Sequence, residues 1–150
     1  MLSAVETAAS APYGIDIADD TFVVADPEVV AAVVADPAAW DVWWPDLRLR
    51  VTLDRGVQGQ QWALTGALEG SMEIWLEPWG DGVLLHWYLR ARPSEARRRT
   101  ARERDGRARA WKAHAHALKD RLEAGREPGR CRDAADVSGV KDPGGPAEAP

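Results

Sequence analysis

The stretch EGSMEIWLEPWGDGVLLHWYLRAR, residues 69–92, decides how the rest of the chain is read. It contains two runs of alternating character, Ser71–Glu77 and Val83–Arg90, separated by Pro78-Trp79-Gly80-Asp81-Gly82. Apolar alternation on both sides of a Gly/Asp turn is a strong short-range signal for a β-hairpin. With Pro78 paired near Val83, Glu77 faces Leu84, Trp75 faces His86 and Glu73 faces Tyr88. Successive side chains point to opposite faces of a strand. One face therefore carries Met72, Ile74, Leu76, Val83, Leu85, Trp87 and Leu89. The other carries Glu73, Trp75, Glu77, Leu84, His86, Tyr88 and Arg90. An apolar face backed by a mixed one predicts a half-buried antiparallel sheet.

Moving outward, Gln60–Leu68 and Leu47–Asp54 also alternate and are expected as strands, with Arg55–Gly59 as the turn between them. Tyr13–Ala25 reads as a first strand. Asp26-Pro27-Glu28 then has the composition of a helix start, with Asp as cap, Pro at the first position and an acid in the first turn. The short helix that follows carries Val29, Val30, Val33 and Val34. Asp36-Pro37 breaks it and begins a second, which holds Trp40, Trp43 and Trp44. After the hairpin, Pro93-Ser94-Glu95 is expected to open a long helix running to Ala124, with Gly125 just past its end. Only its second half, with Trp111, Ala115 and Leu118, shows an apolar side. Residues 1–11 read as a flexible start and 126–150 as a disordered Gly/Pro-rich tail, leaving 12–125 as one domain.

Composition narrows the function. The chain is long enough for a core, and eight Trp against one Phe and two Tyr is an unusual supply of large rings. The lone Cys131 rules out an internal disulfide or a cysteine-based zinc site. No basic segment precedes an apolar run at the N-terminus, and no apolar run approaches membrane-spanning length, so the expectation is a cytoplasmic protein. Residues 1–46 contain nine acids and no Lys or Arg, whereas residues 95–109 contain seven Arg and three acids. That Arg-rich segment lacks interleaved aromatics, so nucleic acid is not the expected partner. It reads instead as a solvated helix face with Glu/Arg pairs, or as a surface that docks on the acidic N-terminal region of its own or a partner chain.

Few residues suggest chemistry. His86, near Glu73 and with Tyr88 two residues on, has the makings of a general base and acid, but alternation places it on the mixed face. His114 lies between Trp111 and Leu118 on the packed side of the last helix and is the better candidate for a polar group reaching the interior. His116 sits about 200° further round, so the two do not form a metal pair. No phosphate loop, hydrolase elbow or metal-ligand spacing occurs. No metal and no cofactor are expected.

The order of elements, together with Ala25-Asp26-Pro27, the Trp40–Pro45 segment, Gly70–Arg90 and Ala117–Arg126, resembles the START-like (SRPBCC) superfamily. Within it, the chain is similar to the actinobacterial polyketide cyclase/dehydrase and lipid transport group. The resemblance implies an α+β helix-grip fold, a curved antiparallel sheet closed on a long C-terminal helix around a cavity. The full fold has seven strands, whereas five are countable here. The implied cavity would be lined by Trp62, Leu64, Met72, Ile74, Leu76, Leu85, Trp87 and Leu89 from the sheet. Trp40, Trp44, Trp111, His114 and Leu118 would come from the helices. The alternative is that the same residues form a dry packed core. The resemblance points to a carrier or binding module for a hydrophobic, lipid- or polyketide-like molecule. It leaves open a cyclase or dehydratase, and an interaction module, monomeric or homodimeric, whose open sheet a partner completes.

Overall fold

The computed structural model describes residues 14–95 and 99–126. The expected flexible start, residues 1–11, and almost all of the expected tail lie outside them.

Strand β1 (Ile15–Val23) leads into helix α1 (Pro27–Val34) and helix α2 (Pro37–Trp43). Both helices start as the sequence implies. Asp26 accepts a hydrogen bond from the Glu28 amide at 2.8 Å, and Asp36 accepts one from the Ala38 amide at 2.9 Å, each with Pro in the first turn. Strands β2 (Leu47–Asp54), β3 (Gly59–Gly66), β4 (Leu68–Trp79) and β5 (Gly82–Pro93) follow as a meander, and helix α3 (Thr100–Leu122) closes the described chain. The five strands form one antiparallel sheet in the order β1-β5-β4-β3-β2, so the first strand returns to pair with the last.

The β4–β5 hairpin adopts the expected register, with Pro78 opposite Val83, Glu77 opposite Leu84, Trp75 opposite His86 and Glu73 opposite Tyr88. The helices cover the apolar face, and the core gathers Ile15, Val30, Val34, Leu68, Ile74 and Leu85 around the indoles. Helix α3 is fastened to β1 by charge as well as by packing. Lys112 reaches both Asp19 carboxylate oxygens at 3.1 and 3.2 Å, and Lys119 donates to the Phe22 carbonyl at 2.7 Å. Within the Arg-rich segment, Arg107 grips Asp46 through two hydrogen bonds and also meets Glu103 one turn back. Burial disfavours the charged Arg107 guanidinium, but its bonds to Asp46 and Glu103 outweigh this and raise its pKa. Docking of this segment on the chain's own acidic half thus accounts for Arg107. This is an α+β helix-grip fold, and none of the described helices is long and apolar enough to cross a membrane.

Two boundaries are corrected: Leu68, expected at the end of β3, instead opens β4 opposite Pro93, and the last helix starts later than expected. The last helix does not begin at Pro93-Ser94-Glu95. Pro93 still pairs with Leu68 at the end of β5, and Ser94 is held there by its amide to the Ala67 carbonyl and its hydroxyl to the Gly66 carbonyl. Those bonds extend the strand and postpone the helix to Thr100, which starts without a side-chain cap. At the other end, Leu122 is the last helical residue and Gly125 turns the chain at φ 85°.

Gly59 opens β3 at φ 105°, and a Cβ there would run into the Ile74 carbonyl oxygen of β4. Gly59→Ala therefore combines backbone strain with overpacking and is expected to cost about 2–4 kcal/mol in urea unfolding. Gly80, with φ 55° and no atom near its Cβ position, incurs the strain alone. Gly80→Ala should cost about 1–2 kcal/mol.

Candidate functional site

The inner face of the sheet and the underside of α3 meet in a cluster of indoles. Trp111 of α3 stacks on Trp87 of β5 at 5.2 Å and on Trp44, the residue capping α2, at 5.5 Å. The Trp43 ring meets Trp111 edge-on at 5.4 Å. Trp62 of β3 lies 5.8 Å from Trp44 and 5.6 Å from Trp40. Alternation on β3 and β5 aims Trp62 and Trp87 inward, and the helical repeat of α3 aims Trp111, Ala115 and Leu118 at them. Aromatic pairs at these separations contribute about 0.5–1.5 kcal/mol each beyond area burial.

Every apolar residue expected to line the interior is found on this side. Leu64, Met72, Ile74, Leu76, Leu85 and Leu89 are buried with the indoles, and Trp40 is half-buried at the margin. His114 is half-buried on α3, and its side chain makes no hydrogen bond or ion pair among the described residues. Trp43 belongs to the same cluster. Its spacing, three residues after Trp40 and next to Trp44, was the signal for it.

The polar accounting of this interior is incomplete. The Nε1 atoms of Trp62, Trp87 and Trp111 are buried and find no acceptor among the described residues. Trp40, by contrast, donates to the Val34 carbonyl at 2.7 Å. The side-chain oxygen of Gln60, buried on β3, also has no donor among the described residues. Buried polar groups without partners cost about 1–3 kcal/mol each, and several together are uncommon in a dry core. The interior is least covered toward β2, where Leu49 is half-buried and Val51 is 40% exposed.

His86 and Tyr88 lie on the opposite face, away from α3. His86 is clamped between strands, Nδ1 at 2.5 Å from Asp20 of β1 and Nε2 at 2.9 Å from Glu77 of β4. Its ring stacks on Trp75 at 4.6 Å, and Tyr88 lies parallel to it at 6.3 Å. Asp20 as a partner was not readable locally, because it depends on the β1–β5 pairing of residues 66 apart in sequence. Both ring nitrogens are occupied, so the arrangement is a cross-strand clamp. Among the described residues, no group of His, Cys, Asp or Glu side chains has the geometry to hold a metal ion.

Comparison with known proteins gives structural relatives only. No protein-family model matches the chain, and no curated protein matches it by sequence. Among solved structures, DR_A0006 from Deinococcus radiodurans superposes with a TM-score of 0.56 at 15% identity, over 73% of this chain and 98% of that one. The Aha1 dimer from Colwellia psychrerythraea gives 0.54 at 15% identity, over 75% of this chain and 99% of that one. CalU16 from Micromonospora echinospora gives 0.50 at 14% identity, over 73% and 86%. At these identities the likeness establishes the helix-grip fold and nothing finer.

Burial lowers the pKa of His86, but the hydrogen bonds to Glu77 and Asp20 outweigh it and leave the folded value above the ordinary one of about 6.5. A raised histidine pKa stabilises the fold fully below the unfolded pKa, and that contribution fades as pH rises through the folded value. His86→Gln should therefore lower stability more at about pH 5.5 than at about pH 9, as measured by urea midpoints across that range.

Proposed function

We propose that the protein is a binding or carrier module for an apolar small molecule bearing at least one hydrogen-bond-accepting oxygen, seated among the indoles under α3. The observation that carries this reading is the trio of buried indole donors at Trp62, Trp87 and Trp111 that lack an acceptor among the described residues. A carbonyl, hydroxyl or carboxylate brought among them relieves a desolvation cost that the folded protein already bears. Trp40, Trp44, Met72, Leu64 and Leu89 supply apolar surroundings. Burying about 300 Å² of ligand surface there contributes about 7 kcal/mol before association costs. The indoles now touch one another, so binding requires ring displacement, with entry on the thinly covered β2 side. The sequence resemblance to the START-like superfamily, and within it to the actinobacterial polyketide cyclase/dehydrase and lipid transport group, supports such a ligand. His114 is the candidate polar group on the helix side. The proposal is of binding and assigns no reaction.

A second reading concerns the edge strand β2, whose Val51 and Leu53 are 40% and 43% exposed, with Val57 just beyond it 45% exposed. A partner strand could add there, although the bulge between Val51 and Leu53 disturbs the edge it would pair with. Light scattering over a range of concentrations separates a monomer from this association.

The main reading is tested by native mass spectrometry of the purified protein, with organic extraction of whatever it retains, alongside Trp62→Phe. That variant keeps an apolar ring and removes one donor. The expected outcome is a co-purifying oxygenated apolar molecule, bound about 10-fold more weakly by the variant. In the unliganded variant, removal of the unmet donor offsets the packing lost with the smaller ring, so stability should fall by no more than about 2 kcal/mol. A clean mass, with no response of Trp fluorescence to fatty acids or flavonoids, would overturn the reading.

A further inference from the structure

The face of the sheet turned away from α3 carries a second feature, an open depression of about 510 Å³. Strand register shows how it is built. Ala18, Tyr88, Glu73 and Gln61 lie side by side across β1, β5, β4 and β3. In the next row Asp16, Arg90 and Ser71 do the same, and Thr52 of β2 closes the far end. The small side chains of Ala18 and Ser71 lower the floor, while Tyr88, Gln61 and Arg90 rise beside it. Five strands about 4.8 Å apart make this a trough about 19 Å long.

The charges of the lining cancel locally. Glu73 is paired with Arg55 at 2.5 Å, and Asp16 lies 3.7 Å from Arg90. A strongly charged ligand would have to break those pairs, and an apolar one would have to desolvate them without compensation. What the trough offers is a set of planar fork groups, the Asp16 and Glu73 carboxylates, the Arg90 guanidinium and the Gln61 amide. Each can engage two hydrogen-bonding groups at once. The Thr52 and Ser71 hydroxyls and one ring, Tyr88, complete it. That ring is set in place before any ligand arrives, since it lies parallel to His86, which is stacked on Trp75 and clamped by Asp20 and Glu77. A fixed ring receives the C–H face of a sugar, and fork groups match pairs of neighbouring hydroxyls. The geometry points to a binding site for a neutral, elongated, hydroxyl-rich ligand, a short oligosaccharide, on the outer face of the sheet. It shares no side chain with the interior indole cluster except through the floor at Trp62 and Met72.

The test is titration of the intact protein, followed by amide NMR shifts, with cellotetraose, maltotetraose and chitotetraose, and with an oligogalacturonate as the charged counterpart. At least one neutral tetraose is expected to shift amides of β4 and β5 around Ser71, Glu73 and Tyr88. Tyr88→Ala should weaken it by about tenfold. Ser71→Gln, at an exposed position that fills the floor, should weaken it comparably and leaves the core untouched. Trp111→Phe, which removes an interior donor from a helix ring outside the trough lining, should leave saccharide binding unchanged even if it abolishes apolar binding. No response to any neutral saccharide at about 10 mM, binding of the oligogalacturonate alone, or binding indifferent to Ser71→Gln would each overturn the assignment.

Discussion

The architecture depends on the seating of Trp111 against Trp87, Trp43 and Trp44. A sheet of five strands cannot enclose much by itself, and α3 has few large apolar residues with which to cover it. One indole on the helix, meeting one from β5 and two from the end of α2, joins three parts of the chain that are remote in sequence. The aliphatic core then fills in around that junction. Lys112 and Lys119 hold the helix on β1, and Arg107 holds it on the turn before β2. The weakly apolar first half of α3 can thus lie on the sheet without a hydrophobic stripe of its own.

A core built of tryptophan solves a volume problem and creates a polar one. Each ring fills space that several aliphatic side chains would otherwise occupy, but each also carries a donor that must be satisfied or left unmet. Trp40 meets the Val34 carbonyl. Trp62, Trp87 and Trp111 meet nothing among the described residues. Leucine would have packed the same face without that cost, so the choice of indole is where stability and the proposed binding function diverge. The other face of the sheet follows the opposite rule. There, carboxylates, guanidinium groups and one imidazole satisfy each other across strands, and the aromatic rings are ordered by polar neighbours.

Much of this was legible in the sequence because its strongest signals are local. The turn at 78–82 fixed the β4–β5 register, and with it the face of every residue from Met72 to Arg90. Asp26-Pro27 and Asp36-Pro37 located both short helices through their caps. Non-local or competing interactions were harder to read. Ser94 looked like a helix start until its bonds to Gly66 and Ala67 claimed it for the strand end. The Asp20–His86 bond required knowledge that β1 returns to β5. The interior set of apolar residues follows from alternation, but whether their rings would touch, and which indole nitrogens would lack partners, depends on packing angles that no periodicity encodes. The outer trough arises from small residues on β1 and β4, on either side of β5, and becomes visible only once the rows align.

The most direct test of the account is an indole ¹H–¹⁵N NMR titration with a medium-chain fatty acid and a flavonoid, the side-chain signals being assigned by single Trp→Phe substitutions. The Nε1 resonances of Trp62, Trp87 and Trp111 are predicted to move together on ligand addition, toward shifts typical of hydrogen-bonded indoles. The signal of Trp79, exposed at the end of β4, should stay still. Movement of Trp79 and Trp75 alone, or no movement of any indole signal, would contradict a binding site under α3.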